Sequence, residues 1–265
     1  MSTPLQLPVR VLVKGASNVL MTSWMGGPRT DMPFPRVVEA ELLAGGRAAE
    51  VRNAGELGMP IRRMYKTWEV DVARWSPDVI LFAVGQYDVL HALLPYWLER
   101  MANRVDRRPS FTQRWWRKAV RLLVRGVLKT QRFVDRPSLL LKRRTRHALR
   151  DLAGYIKLSS NWGSPLIILL EIHPPTTAKM AWFGGWHNRI AAFNQGMRDI
   201  AANETSGNVL FVEMTDLTEQ FDPGTPDELW ADGIHFNPAM HRLVGQRLAG
   251  VIDDWAADQP HLARP

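Results

Sequence analysis

Five short apolar runs, separated by stretches of helical periodicity, constrain this chain more than any other feature. The runs cover 9–13, 49–52, 79–84, 166–171 and 209–213 and are rich in β-branched residues. Between and after them, 36–43, 61–75, 89–101, 186–202 and 238–255 carry helical patterns, the last with Asn237 as N-cap and Pro238 at its first position. Strands that alternate with helices must return across the sheet by crossovers, which makes neighbouring strands parallel. Parallel strands covered on both faces read as nearly continuous apolar runs, as these do. The expectation is therefore one α/β domain over 1–265, a three-layer α/β/α sandwich around a five-stranded parallel sheet.

The alternation breaks between the third and fourth strands. Residues 103–162 are too many for one crossover helix, and Pro109-Ser110 and Pro137-Ser138 each read as a helix start. This predicts a helical insertion or lid between strands 3 and 4. The same segment explains the charge. The chain carries +8 overall, yet 104–150 holds 16 basic and 2 acidic residues, leaving 18 basic and 24 acidic residues elsewhere. The body is mildly acidic and the basicity is local. Trp116, Val120, Leu123 and Val127 follow one helical face, and Arg114, Lys118, Arg121, Arg125 and Lys129 another. Lys142, Arg143, Arg144 and Arg146 repeat the theme in 139–156. Two covering helices satisfy this pattern, and so does peripheral contact of 111–150 with an anionic membrane surface. Nucleic-acid binding ranks below both, because no recognisable reading motif accompanies the basic residues.

The chain has no Cys, which excludes disulfides and thiolate metal sites. His91, His147, His187 and His241 fall in predicted helices without metal-ligand pairing, so neither a metal nor a cofactor is expected. No signal peptide or membrane span is visible. The expectation is a cytoplasmic protein, with the insertion as a contact to the inner membrane face.

In a parallel sheet of this kind, functional groups gather in loops beyond the carboxyl ends of the strands. The first three loops carry Gly15-Ala16-Ser17-Asn18, Asn53-Ala54-Gly55-Glu56 and Gly85-Gln86-Tyr87-Asp88. Asp232-Gly233-Ile234-His235 stands just before the last helix. A serine hydroxyl becomes a nucleophile when an imidazole takes its proton and a carboxylate orients that imidazole. Asp232 and His235, three residues apart around a glycine turn, can supply both beside Ser17. Backbone N–H groups of Ser17 and Gly55 are candidate donors to a developing oxyanion. Asp88 reads as a cap for the helix beginning near Val89.

These blocks, in this order after successive strands, resemble the SGNH (GDSL-like) hydrolase superfamily, whose fold is flavodoxin-like. The resemblance spans 9–255 apart from the basic insertion. It implies Ser17 as nucleophile, Gly55 as the second-block glycine, and Asp232 with His235 as the activating pair. The third block departs from the family's Gly-x-Asn-Asp, because Tyr87 replaces the Asn whose amide completes the oxyanion hole. Gln86 or Tyr87 is then expected to assist, since losing one donor costs about 10²–10³ in rate. A conventional α/β-hydrolase is disfavoured, because Ser17 lacks the G-x-S-x-G frame.

The implied activity is ester hydrolysis, or transfer of an acyl group from Ser17 to a sugar or lipid hydroxyl. The alternative is a silent binding protein held at anionic membrane by its basic helices. His173, after the fourth strand, and Trp182 and Trp186, taken as exposed aromatics, are expected to line the substrate or acceptor site. The oligomeric state is open.

Overall fold

The computed structural model describes residues 7–20, 31–90, 97–98, 101, 110–134, 139–174, 185–221, 229–230 and 233–262; within helices, residue 125 and stretches 128–134, 139–142 and 219–221 are described by backbone alone. Five strands form one sheet: β1 (Val9–Gly15), β2 (Ala49–Asn53), β3 (Val79–Ala83), β4 (Leu166–Leu170) and β5 (Val209–Val212). Their spatial order is β2-β1-β3-β4-β5, and every pair is parallel. The strands match the five apolar runs to within two residues at each end. β4 shows why the runs were legible: all of Leu166–Leu170 is buried, as a central strand covered on both faces requires.

The first face of the sheet is covered by α1 (Phe34–Ala44) and the C-terminal helix, here α7 (Pro238–Ala257). Val9, Val11 and Val13 of β1 point into that layer with Phe34, Met240, Val244 and Leu248. Asn237 caps α7 as expected, its side chain accepting from the Met240 N–H at 2.8 Å. The opposite layer holds Leu12, Ile80, Phe82, Ile167 and Leu169. Over it lie a 3₁₀ segment (Ile61–Thr67) and a π-helical turn (Glu69–Ala73), where the sequence pattern predicted one α-helix.

Further helices in chain order are α2 (Gln86–Leu90), α3 (Phe111–Val134), α4 (Leu139–Gly163), α5 (Trp186–Asn203) and α6 (Thr215–Phe221). Both helix starts read at Pro109-Ser110 and Pro137-Ser138 are close to observed starts. The two helices play different parts, however. Ala148, Leu152, Tyr155 and Ile156 of α4 are buried against β3 and β4. That half of α4 is the crossover between β3 and β4, so the segment standing apart from the sheet is α3. Even Arg144, counted in the basic run, is buried, with its Nε 3.9 Å from the Asp88 carboxylate. Among the described residues, no helix is long and apolar enough to cross a membrane.

A buried ion pair lies inside the opposite layer. Lys14 of β1 is 1% exposed, and its Nζ donates to Asp71 at 2.5 Å and to Thr67 Oγ1 at 2.9 Å. Arg52 reaches the other Asp71 oxygen at 3.1 Å. A buried ammonium is tolerated only with such partners. The ion pair ties β1, just below the nucleophile loop, to the 3₁₀ and π turns.

Candidate active site

The site is built at the carboxyl end of β1. The strand ends at Gly15 and turns at once into a 3₁₀ turn, Ser17–Val19. The turn folds back so tightly that a Cβ on Gly15 would lie 2.4 Å from Val19 Cγ1 and 2.8 Å from the Ala83 carbonyl. A Cβ on Gly55, in the loop after β2, would lie 2.1 Å from Val19 Cγ2. The buried Val19 side chain is thus gripped between two glycines, which fixes the turn carrying Ser17. The β2 loop is tied to β1 by N–H donation from Ala54 to the Val13 carbonyl and from Glu56 to the Gly15 carbonyl. Asn53 completes the clamp, donating through Nδ2 to the Val19 carbonyl at 2.5 Å and accepting from the Gly55 N–H at 3.1 Å.

His235 arrives from the other end of the chain. Its loop is closed by a bridge between Trp230 and Phe236 and by the Asn237 N–H donating to the Leu229 carbonyl. Gly233 adopts φ +84°, the left-handed conformation that its turn requires. Trp230, Phe236 and the fully buried His241 pack beneath, and His241 Nδ1 accepts from the Phe34 N–H. Held this way, His235 is buried and its Nε2 stands 2.8 Å from Ser17 Oγ. That is hydrogen-bond distance between a hydroxyl and the base that would deprotonate it. The third partner expected from the sequence, Asp232, lies outside the described residues.

The remaining expectations fare differently. Asn18, which follows Ser17, is buried and donates through Nδ2 to Gln86 Oε1 at 3.0 Å. Its Oδ1 accepts from the Phe236 N–H at 3.4 Å. Gln86 is therefore drawn toward the His235 loop. Tyr87 lies the other way, its ring against Gly58, where a Cβ would meet Cε2, Cζ and Oη at 3.1–3.4 Å. Asp88 does not cap a helix starting at Val89. Helix α2 already begins at Gln86, and the Asp88 carboxylate accepts from the Ile61 N–H at 3.0 Å, holding the entry to the 3₁₀ segment.

His173 sits just beyond β4, with Nδ1–H donating to the Pro174 carbonyl at 2.8 Å and Nε2 3.3 Å from Thr218 Oγ1. Its ring lies against Trp230, with centroids 5.1 Å apart. Burial pushes its pKa below the usual imidazole value, against the Pro174 carbonyl and Glu171, which act in the opposite direction. Trp186 is a correction. It is 1% exposed and packs in the core with Ile190, Phe193 and Met197, so it shapes no acceptor surface. Trp182 lies outside the described residues. Among those described, no group of three or more His, Asp or Glu is placed to hold a metal ion.

Sequence reasoning passed over Asn18 and Asn53, which join the loops into one site. Their only signal was position: polar amides at strand ends in otherwise apolar surroundings. A small cleft of about 20 Å³ lies beside Asn18, lined also by Gln86, Ile172 and Phe236 among others.

A parallel five-stranded α/β/α sheet that brings a serine and a histidine together at its carboxyl edge has the architecture of the SGNH-type ester hydrolases. The chain belongs to the GDSL-like lipase/acylhydrolase family, whose model matches residues 21–243. That match includes His235 and begins after Ser17. The fold is similar to the lipase/acylhydrolase from Enterococcus faecalis, with TM-score 0.60, 14% identity, and 93% of this chain and 96% of that one covered. It is also similar to a mutant form of the acetyl-xylooligosaccharide esterase Axe2 from Geobacillus stearothermophilus, with TM-score 0.56, 16% identity, and 92% and 94% covered. An acetyl xylan esterase, AlAXEase, matches with TM-score 0.57 at 16% identity, covering 92% and 100%. No curated protein matches the chain.

Proposed function

We propose that the protein cleaves a short-chain acyl ester, of the kind carried on carbohydrate hydroxyls, through an acyl-Ser17 intermediate. The observation that carries this reading is the 2.8 Å approach of Ser17 Oγ to His235 Nε2. As Oγ bonds to the ester carbonyl carbon, its proton passes to His235 Nε2. Collapse of the tetrahedral adduct breaks the carbon–oxygen bond, and His235 returns the proton to the departing alkoxide. Water then attacks acyl-Ser17 by the reverse sequence, with His235 again taking and returning a proton. Asp232 would orient the imidazole and stabilise its charged form.

The oxyanion would be held by the Ser17 N–H, with the Gly55 N–H turning from Asn53 to share in it. Tyr87, whose ring lies against Gly58, would assist through its hydroxyl. Gln86, engaged by Asn18, lines the cleft instead. His173 directly follows Ile172, which lines that cleft, and would lie toward the substrate. Two of the similar structures are acetylxylan esterases, which favours an acetylated carbohydrate.

The test uses p-nitrophenyl acetate and a serine-directed fluorophosphonate. Ser17→Ala should abolish labelling and lower acetate release by at least about 10³-fold. Activity that survives the substitution in folded protein would refute serine catalysis. Turnover of decanoate as fast as acetate would refute the short-acyl reading alone. A second reading is transfer of the same acyl group from Ser17 to a sugar hydroxyl in place of water. Acceleration by xylo-oligosaccharide with acetylated product formed would select it.

A further inference from the structure

We infer that α3 is a docking surface for an anionic lipid bilayer, lying in the plane of the headgroups beside the catalytic domain. The inference is independent of the esterase reading and rests on how the faces of this helix are used. At ~100° per residue, the described side chains of α3 divide into three arcs. Val120, Val124 and Val127 form the first, which packs against Leu98 and Met101. Arg114, Lys118 and Arg121 form the second, and all three are exposed with no ion pair among the described residues. The third arc holds Phe111, Trp115 and Leu122, with Trp116 and Leu123 at its margin.

That third arc should be the covered one in a helix that faces only water and its own domain, and it is not. Phe111 is 75% exposed, Trp115 64% and Leu122 71%, while Trp116 and Leu123 are also exposed. Among the described side chains of the helix, burial is confined to the valine arc and, in part, to Arg117 beside it. An apolar arc of roughly 140°, bordered by an unpaired basic arc, meets two requirements of an interfacial helix. Its aromatic and aliphatic side chains can enter the acyl boundary, and its cations can remain at the phosphate level. The charge distribution agrees, since the excess of basic residues is concentrated in and around this helix while the rest of the chain is net acidic. Opposite charge selects an anionic surface over a neutral one. A second protein partner or a second copy would have no need of this cationic border.

The test is co-sedimentation of the full chain with vesicles of phosphatidylcholine, with or without about 30% phosphatidylglycerol. The wild type should partition to the anionic vesicles at least about tenfold more strongly than to neutral ones, and added salt should weaken it. Two variants separate the contributions. Trp115→Ser with Leu122→Ser removes apolar insertion, and Lys118→Glu with Arg121→Glu reverses the border. Each should lower vesicle binding about tenfold or more while p-nitrophenyl acetate turnover in solution is unchanged, which also reports correct folding. Wild-type indifference to anionic lipid would overturn the inference, as would binding by both variants equal to that of the wild type. A concentration-dependent dimer that Trp115→Ser/Leu122→Ser dissociates, without vesicle binding, would assign the face to a second copy. Binding of duplex DNA or RNA through Lys118 and Arg121, again without vesicle binding, would assign it to nucleic acid.

Discussion

Gly55→Ala is the smallest change that tests how the nucleophile is held. The residue is not in the left-handed region, so the added methyl is opposed by neighbours rather than by backbone conformation. Its Cβ would stand 2.1 Å from Val19 Cγ2. Restoring ordinary carbon–carbon contact at about 3.5 Å or beyond requires roughly 1.4 Å of movement between the two chain segments. Val19 has little room to yield. It is fully buried, its other γ-methyl already lies against Gly15, and its carbonyl is tied to Asn53. The movement is therefore passed to the 3₁₀ turn and to Ser17, two residues away. A displacement near ~1 Å at reacting groups costs about 10²-fold, or roughly 2.7 kcal/mol of transition-state stabilisation.

Gly55→Ala should accordingly lower kcat/KM for p-nitrophenyl acetate by about 10²-fold. Val19→Ala removes both γ-methyls, so in the double variant the clash is gone and most of the loss should be recovered. A double-mutant cycle then gives a coupling of about 1–3 kcal/mol, with opposite sign to the sum of the single losses. Thermal unfolding followed by circular dichroism separates a displaced turn from a collapsed fold. Gly55→Ala with activity within about twofold of wild type would refute the clamp. A loss that Val19→Ala leaves untouched would place the effect at the Gly55 N–H instead.

Three further substitutions probe the scaffold. Asp71→Ala strands the buried Lys14 ammonium and should destabilise by about 3–5 kcal/mol in urea unfolding, whereas Lys14→Met with Asp71→Leu should be neutral or stabilising; the reverse order would refute the reading of this pair. Tyr155 is fully buried, its phenol pKa is raised chiefly by desolvation, and its Oη has no hydrogen-bond partner among the described residues. Tyr155→Phe should thus stabilise by about 1 kcal/mol or leave stability unchanged, and a loss above that would reveal a partner. His173 has a folded pKa below its unfolded value of 6.5, so the unfolded chain binds more protons in that range. Its contribution is full above about pH 6.5 and is lost as pH falls toward the folded pKa; His173→Gln should flatten that part of the stability–pH curve, and an unchanged slope would contradict the assignment.

Much of the fold was legible because doubly covered parallel strands such as β3 and β4 favour short, nearly continuous apolar runs. The Ser17 and His235 encounter was legible too, since both lie where the sheet topology gathers its loops. Other features were hidden for identifiable reasons. The basic residues of α4 drew attention from Ala148, Leu152, Tyr155 and Ile156, whose spacing already marks a core face. Trp186 was read by its glycine-rich surroundings, although Trp186, Ile190, Phe193 and Met197 repeat at the spacing of a buried stripe. Asn18 and Asn53 offered only their position at strand ends. Asn18 meets partners 68 and 218 positions away, and no local pattern encodes such a contact.

These amides bear on how the site tolerates Tyr87. Two separate tasks fall to the residues around Ser17: fixing the hydroxyl against His235, and stabilising charge on the substrate oxygen. The first is carried by Gly15, Gly55, Asn53, Asn18 and the Trp230–Phe236 bridge, none of which involves residue 87. The second, under the proposed mechanism, is where the third block contributes. A change at 87 therefore alters the stabilisation of the transition state while the Ser17–His235 contact remains at 2.8 Å. Such a site keeps its capacity to form an acyl-serine and gives up part of the rate at which each tetrahedral adduct is reached. Under the proposed mechanism, water and an acceptor hydroxyl would form their adducts in the same oxyanion site, so the loss slows both and does not itself select between them. A tyrosine in place of the family Asn thus bears on how fast the proposed acyl-Ser17 would form and turn over, and is compatible with the 2.8 Å contact between Ser17 and His235.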